Sequence, residues 1–176
     1  GLYLTWVAGW PVLALGLLSI AAAYLYTGGP KPYGYLGLGD LAVFVFFGFG
    51  AVAGTYYVQA HAVSPLAWLA SVPIGALATA ILVVNNLRDI ETDARAGKNT
   101  LAVRLGDRAT RTYYMLLLGV AYAVPLILWL RGLAGPWVLL SWMSLPLALQ
   151  VAQRMRHESG LALNGCLVLT ARLEVV

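Results

Sequence analysis

Long apolar runs separated by short basic loops constrain this chain more than any other feature. A bilayer core needs about 20 consecutive apolar residues per helix, with about 17 to 25 tolerated. Five runs meet that length, over 4–25, 41–59, 66–84, 112–130 and 136–152. A sixth, 161–171, is too short to cross as it stands and is followed by Arg172 and Glu174. The runs are continuous rather than alternating, which argues against barrel strands. Only 10% of the residues are charged, against roughly 25% in a soluble domain, and mean hydropathy is +0.79. The expected fold is all-α: a polytopic transmembrane helical bundle with five complete spans and a truncated sixth. Residues 1–176 read as a single membrane-embedded domain, incomplete at both ends, without a low-complexity tail or a convincing repeat.

The net charge of +4 does not point to nucleic acid, because the cations sit in a few loops between apolar runs, where they act as topology signals. Lys31, Arg88, Arg95, Lys98, Arg104, Arg108, Arg111, Arg154 and Arg156 fall in alternate loops, nine in all, whereas the intervening turns hold Arg131 alone. The positive-inside rule puts the nine on the cytoplasmic side. The expectation is a multi-pass protein of the cell inner (plasma) membrane, with the bilayer itself as a partner and no nucleic acid. Trp6, Trp10, Tyr24, Tyr26, Tyr56, Tyr57, Tyr113, Trp129 and Trp137 fall mostly near span ends, as interfacial aromatics do.

Several other features carry little chemistry. Cys166, the one cysteine, lies in an apolar stretch and reads as a small packing residue, so there is no disulfide framework. Gly50 and Gly54 form a small-xxx-small pattern, expected to pack within the molecule. Pro11, Pro73, Pro125 and Pro146 are expected to kink spans. His61 reads as an interfacial or turn residue. The Gly28-to-Lys31 segment lacks the spacing of a phosphate-binding P-loop.

The acidic frame from Asp89 to Asp93 is different. If the helix of 66–84 continues past Val84, then Asn85, Asp89 and Asp93 follow at i, i+4 and i+8. Each step advances about 6 Å and drifts about 40° around the axis. Three oxygen ligands then line one face, with Glu91 pointing elsewhere. Mg²⁺ takes oxygen ligands and is usually held by one or two carboxylates plus substrate phosphates. Arg88, Arg95, Lys98 and Lys31 surround the frame with the positive charge that a departing diphosphate requires. Arg/Asp pairs at a solvated helix end would produce the same spacing. Spacing alone leaves both readings open.

The segment from Asn85 through Asp89, Asp93, Lys98 and Arg104 to Gly106 closely resembles the second aspartate-rich motif of the UbiA superfamily of intramembrane prenyltransferases. The Gly97-to-Gly106 continuation, with Tyr24 to Gly34 and Gly54 to Gln59, is most similar to the subgroup that prenylates 1,4-dihydroxy-2-naphthoate. The resemblance implies a nine-helix bundle of which these spans are helices four to eight and the start of nine. It implies Mg²⁺ as cofactor, polyprenyl diphosphate and 1,4-dihydroxy-2-naphthoate as substrates, and demethylmenaquinone as product. By position, Asp89 and Asp93 would be the catalytic metal ligands, Asn85 would help the same face, and Arg88 and Lys98 would contact the diphosphate. Tyr26 and Lys31 resemble a Tyr…Lys pair lying over the site, here with four intervening residues where the family more often has three. The first aspartate-rich motif of the superfamily does not occur in these residues. The chain is therefore expected to be an internal piece of a longer protein and inactive alone. Other acceptors within the superfamily, such as 4-hydroxybenzoate, chlorophyllide or haem, remain open. So do a transporter or channel segment, which the charge-poor span interiors disfavour, and a structural membrane segment with a solvated acidic loop.

Overall fold

The computed structural model describes residues 1–175 of the chain, and no strand occurs among them. The first expected span is divided into α1 (Leu2–Ala8) and α2 (Trp10–Thr27). They part at Gly9, with Pro11 in the opening turn of α2, where its missing N–H would have had no helical partner. A 3₁₀ turn, Tyr33–Leu36, leads to α3 (Gly39–Val43). The helical path then continues through a π-wound stretch, Phe44–Ala53, into α4 (Gly54–Ala60). His61 ends α4 in the left-handed region at φ 53°, the turn role expected of it.

Next comes α5 (Pro65–Arg88), which Ser64 caps by accepting the Ala67 N–H at 3.1 Å. The 85–111 stretch, read from sequence as a loop, is largely helical: it holds the end of α5, α6 (Ile90–Arg95) and the start of α7 (Leu101–Leu130). Thr100 caps α7, and helical φ/ψ break once, at Gly106. A 3₁₀ stretch, Pro136–Ser144, precedes α8 (Leu145–His157), and a short 3₁₀ turn precedes α9 (Leu163–Val175).

Among the described residues four helical stretches are long and apolar enough to cross a membrane: Trp10–Thr27, Gly39–Ala60, Pro65–Arg88 and Leu101–Leu130. The fifth expected span, 136–152, is not a single α-helix. Its first 9 residues are wound as 3₁₀ and the remainder belongs to the 13-residue α8. Ser144 and Leu145 keep helical φ/ψ at the junction. The combined segment therefore rises roughly 37 Å at the two helical pitches.

Helix α5 is the centre of the bundle, packed against the Phe44–Ala53 stretch, α7 and α9. In a membrane, lipid tails are as apolar as leucine, so helices associate through close van der Waals packing and interhelical hydrogen bonds. Both are present. A Cβ added at Gly75 would stand 2.9 Å from the Phe44 carbonyl and 3.1 Å from Gly48 Cα, so only glycines permit this approach. The Gly50/Gly54 pattern packs within the molecule as expected, Gly54 against Leu15 of α2. Gly48 on Gly75 is where two glycines bring helix backbones together, and no spacing rule links that pair. Tyr114 Oη and Thr170 Oγ1 share a buried hydrogen bond of 2.8 Å, and Thr170 also donates to the Cys166 carbonyl at 2.7 Å. Cys166 is fully buried in this core.

The three basic segments meet at one end of the bundle. The Asn99 N–H donates to the Tyr35 carbonyl at 3.0 Å, joining 26–40 to 85–111. Arg111 donates to the Met155 and Glu158 carbonyls, joining 85–111 to 153–160. The acidic frame lies at this end.

Candidate active site

The α-helical backbone stops at Arg88, not beyond Asp93, so the single continuous helix expected through the frame is corrected. Asp89 sits at φ −98°, ψ 9° between α5 and α6. Its carbonyl accepts both the Asp93 N–H at 2.8 Å and the Thr92 hydroxyl at 2.8 Å. The i→i+4 hydrogen bonds survive, since the Asp89 N–H still donates to the Asn85 carbonyl at 3.1 Å. Asn85, Asp89 and Asp93 therefore remain consecutive steps on one path. Glu91 points away and pairs with Arg95 at 3.2 Å, with both side chains largely exposed.

Two cations hold the two aspartates. Arg88 Nε and Nη2 donate to Asp89 Oδ1 at 2.8 Å and Oδ2 at 2.6 Å, while Nη2 also donates to Asn85 Oδ1 at 2.8 Å. This hydrogen-bonded guanidinium, with Lys98 adding charge from further away, holds the Asp89 carboxyl below the usual carboxylate range, against the opposing effect of partial burial. Lys98 Nζ lies 3.5 Å from Asp93 Oδ1. Gly97 makes that return possible: at φ 73° it ends α6 in a left-handed turn, and the Lys98 N–H donates to the Asp93 carbonyl at 2.9 Å. Lys98 Nζ also stands 5.2 Å from the centre of the Tyr35 ring, within cation–π range.

Tyr26 joins from α2. Its ring meets Tyr33 edge to face at 5.5 Å, and its hydroxyl lies against Gly39, where an added Cβ would be 3.1 Å away. Lys31 is exposed and takes no part in an ion pair among the described residues. The structure thus gathers Asn85, Arg88 and Asp89 around one guanidinium, puts Asp93 and Lys98 beside them, and leaves Lys31 unpaired.

Three residues at this end were not singled out from the sequence. Tyr35 and Asn164 are brought in by the 26–40 loop and by the start of α9; Arg88 Nη1 donates to Asn164 Oδ1 at 2.9 Å. Asp40 is only 4% exposed, and its Oδ2 is the one buried side-chain N or O atom without a hydrogen-bond partner among the described residues. An acid placed at the border of an apolar run was the available clue.

Apolar space adjoins the polar end. A cavity of about 570 Å³ runs between α5 and α9, with Asn85 and Glu174 its only polar side chains. A second, of about 600 Å³, is walled by Tyr26, Tyr33 and Phe46. Among the described residues no three His, Cys, Asp or Glu side chains gather into a metal-binding group. The acidic end supplies two carboxylates and a neighbouring amide, a hard-oxygen set that fits the one or two carboxylates Mg²⁺ takes from protein when phosphates complete its shell.

The sequence profile of the UbiA prenyltransferase family matches residues 1–163. A 1,4-dihydroxy-2-naphthoate octaprenyltransferase of Mycobacterium tuberculosis is 51% identical over 160 residues, which cover 91% of this chain and 54% of that protein. The Haemophilus influenzae protein of the same name is 58% identical over 107 residues, 61% of this chain and 35% of its own length. That of Escherichia coli is 45% identical over 146 residues, 83% of this chain and 47% of its own. The chain thus spans about half the length, or less, of these curated relatives. No solved structure matches it.

Proposed function

The chain belongs to the UbiA prenyltransferase family, and on that premise we propose that the protein transfers a polyprenyl group from polyprenyl diphosphate to 1,4-dihydroxy-2-naphthoate. The acceptor follows the names of its relatives, and those relatives resemble this chain along most of its length. The observation that carries the mechanism is the pairing of Asp89 with Arg88 and of Asp93 with Lys98 at one end of a bundle, beside apolar cavities.

In this reading Asp89 and Asp93 hold Mg²⁺, with Asn85 on the same face. The bound ion supplies the charge that a diphosphate leaving group needs. Lys98 and Arg88 add fixed positive charge where negative charge develops as the bond from the allylic carbon to the diphosphate breaks. Tyr26 and Lys31 close over the site from the 26–40 segment. The electron-rich ring attacks the allylic carbon as the diphosphate departs, carbon dioxide leaves, and the aromatic product is the quinol, demethylmenaquinol. Its two-electron oxidation outside this reaction gives demethylmenaquinone, which places the reaction in menaquinone biosynthesis. The apolar cavities take the isoprenoid chain. The cytoplasmic placement of the site in the plasma membrane rests on the nine-to-one distribution of loop cations.

The test is incubation of membranes bearing the full-length protein with 1,4-dihydroxy-2-naphthoate, a polyprenyl diphosphate and Mg²⁺. Demethylmenaquinol, recovered as demethylmenaquinone after oxidation in air, is the expected product, lost with a chelator and restored by Mg²⁺. Prenylation of 4-hydroxybenzoate but not of the naphthoate would move the assignment to another acceptor within the family. No prenylated product from any acceptor would sink it.

A further inference from the structure

A guanidinium offers five N–H donors in a planar fork. On Arg88, Nε and one Nη2 hydrogen go to the two oxygens of Asp89, and the second Nη2 hydrogen goes to Asn85. One Nη1 hydrogen goes to Asn164 Oδ1 at 2.9 Å. Four donors are taken and one, on Nη1, remains.

These contacts are not equivalent. Asp89 and Asn85 lie one and three residues from Arg88 on the same path, so they restrain the guanidinium only relative to its own helix end. Asn164 lies 76 residues away, in the first turn of α9. It is the one side chain from α9 that hydrogen-bonds the acidic segment among the described residues. A planar group held along one edge can still pivot; an acceptor from a second helix removes that freedom.

We propose that Asn164 is a positioning residue for the diphosphate site: its side-chain carbonyl fixes the Arg88 guanidinium plane, which orients the Asp89 carboxylate and presents the remaining Nη1 hydrogen to a diphosphate oxygen. The inference rests on the reading of the acidic end as a diphosphate site. It gives α9, which supplies no acidic residue to the frame, a direct part in the site's geometry. It also changes what Arg88 does: most of its donors build the site, and one meets the substrate.

The test uses the full-length protein in lipid nanodiscs with Asn164→Leu, which removes the acceptor, and Asn164→Asp, which keeps it. Inorganic pyrophosphate binding in the presence of Mn²⁺ is read by calorimetry, and Mn²⁺ affinity by electron paramagnetic resonance. Turnover gives KM for the polyprenyl diphosphate and for the aromatic acceptor. Loss of one charge-assisted hydrogen bond should weaken pyrophosphate binding and raise the diphosphate KM about fivefold to tenfold in Asn164→Leu. The acceptor KM should stay unchanged, and Asn164→Asp should restore binding. In an Arg88→Met background, Asn164→Leu should add nothing, because the two act as one unit.

A thermal midpoint lowered by Asn164→Leu with pyrophosphate binding and diphosphate KM unchanged would reduce Asn164 to a tether between helices and overturn the proposal. So would a full additional effect on top of Arg88→Met, or a wild-type protein that binds no pyrophosphate. Wild-type protein that binds pyrophosphate but leaves the naphthoate unprenylated would defeat the proposed acceptor alone, and the binding arm would still decide the role of Asn164.

Discussion

Within α5, residues 71–84 meet their neighbours through Ser71, Gly75, Ala76, Thr79, Ala80, Val83 and Val84, all buried. The next turn, Asn85 to Asp89, still buries Asn86 and Leu87, but it ties its own Asn85 and Asp89 to the Arg88 guanidinium and reaches α9 through Asn164. The first stretch is held by shape. Its glycine crossing and small side chains let backbones approach, and any added atom is felt. The second stretch is held in addition by charge and direction, and its Arg88 and Asp89 side chains remain partly exposed. Helix α5 thus passes from a structural to a chemical role over its last turn and its C-cap Asp89, and the two parts should fail differently when altered.

The largest separation should come from Asp89→Ala or Asp93→Ala in the full-length protein. Each should lower prenyl-transfer turnover by roughly 10²–10³-fold, the scale for loss of one preorganised electrostatic group, while the thermal midpoint falls only by the small contribution of a partly exposed ion pair. Turnover close to wild type in both variants would erase the distinction between the two stretches. Gly75→Val should do the reverse, costing about 3 kcal/mol of stability through overpacking against Phe44 and Gly48. Thermal unfolding in detergent measures this, and the surviving folded fraction should keep normal substrate KM values.

Tyr114→Phe removes one buried hydrogen bond, while Thr170 keeps its bond to Cys166. A loss of about 1 kcal/mol is expected, without a change in KM. Arg88→Met tests the charged stretch by pH. Because Arg88 lowers the folded-state pKa of Asp89, the resulting stability is present above the ordinary carboxylate pKa and fades as pH falls through the lowered one. The stability gap between wild type and Arg88→Met should therefore be open at neutral pH and close in strong acid. A gap that widened on acidification would contradict the pairing. Glu91→Ala should be the quietest change, since its pair with Arg95 is exposed and such pairs contribute little; unchanged turnover and midpoint are expected.

Much of this arrangement was legible in the order of residues. Continuous apolar runs required helices, because lipid leaves backbone polar groups no partner but each other. Asn85, Asp89 and Asp93 recur at a spacing that persists as successive i→i+4 hydrogen bonds even though the helix breaks at Asp89. The limits were equally physical. The break at Asp89 has no glycine or proline to mark it, and the 3₁₀ winding of Pro136–Ser144 cannot be told from an α-helix by apolar content.

What the sequence by itself determined was the helical class, the alternation of basic loops and the local acidic motif, since each follows from hydropathy, charge or spacing between near neighbours. Only the tertiary structure decided that Gly48 meets Gly75, that Tyr35 lies under Lys98, that Asp40 is buried with an unpartnered oxygen, and that Asn164 reaches Arg88. Each of these depends on how separate helices and loops are brought against one another, and the order of residues encodes such encounters only through packing of the whole bundle.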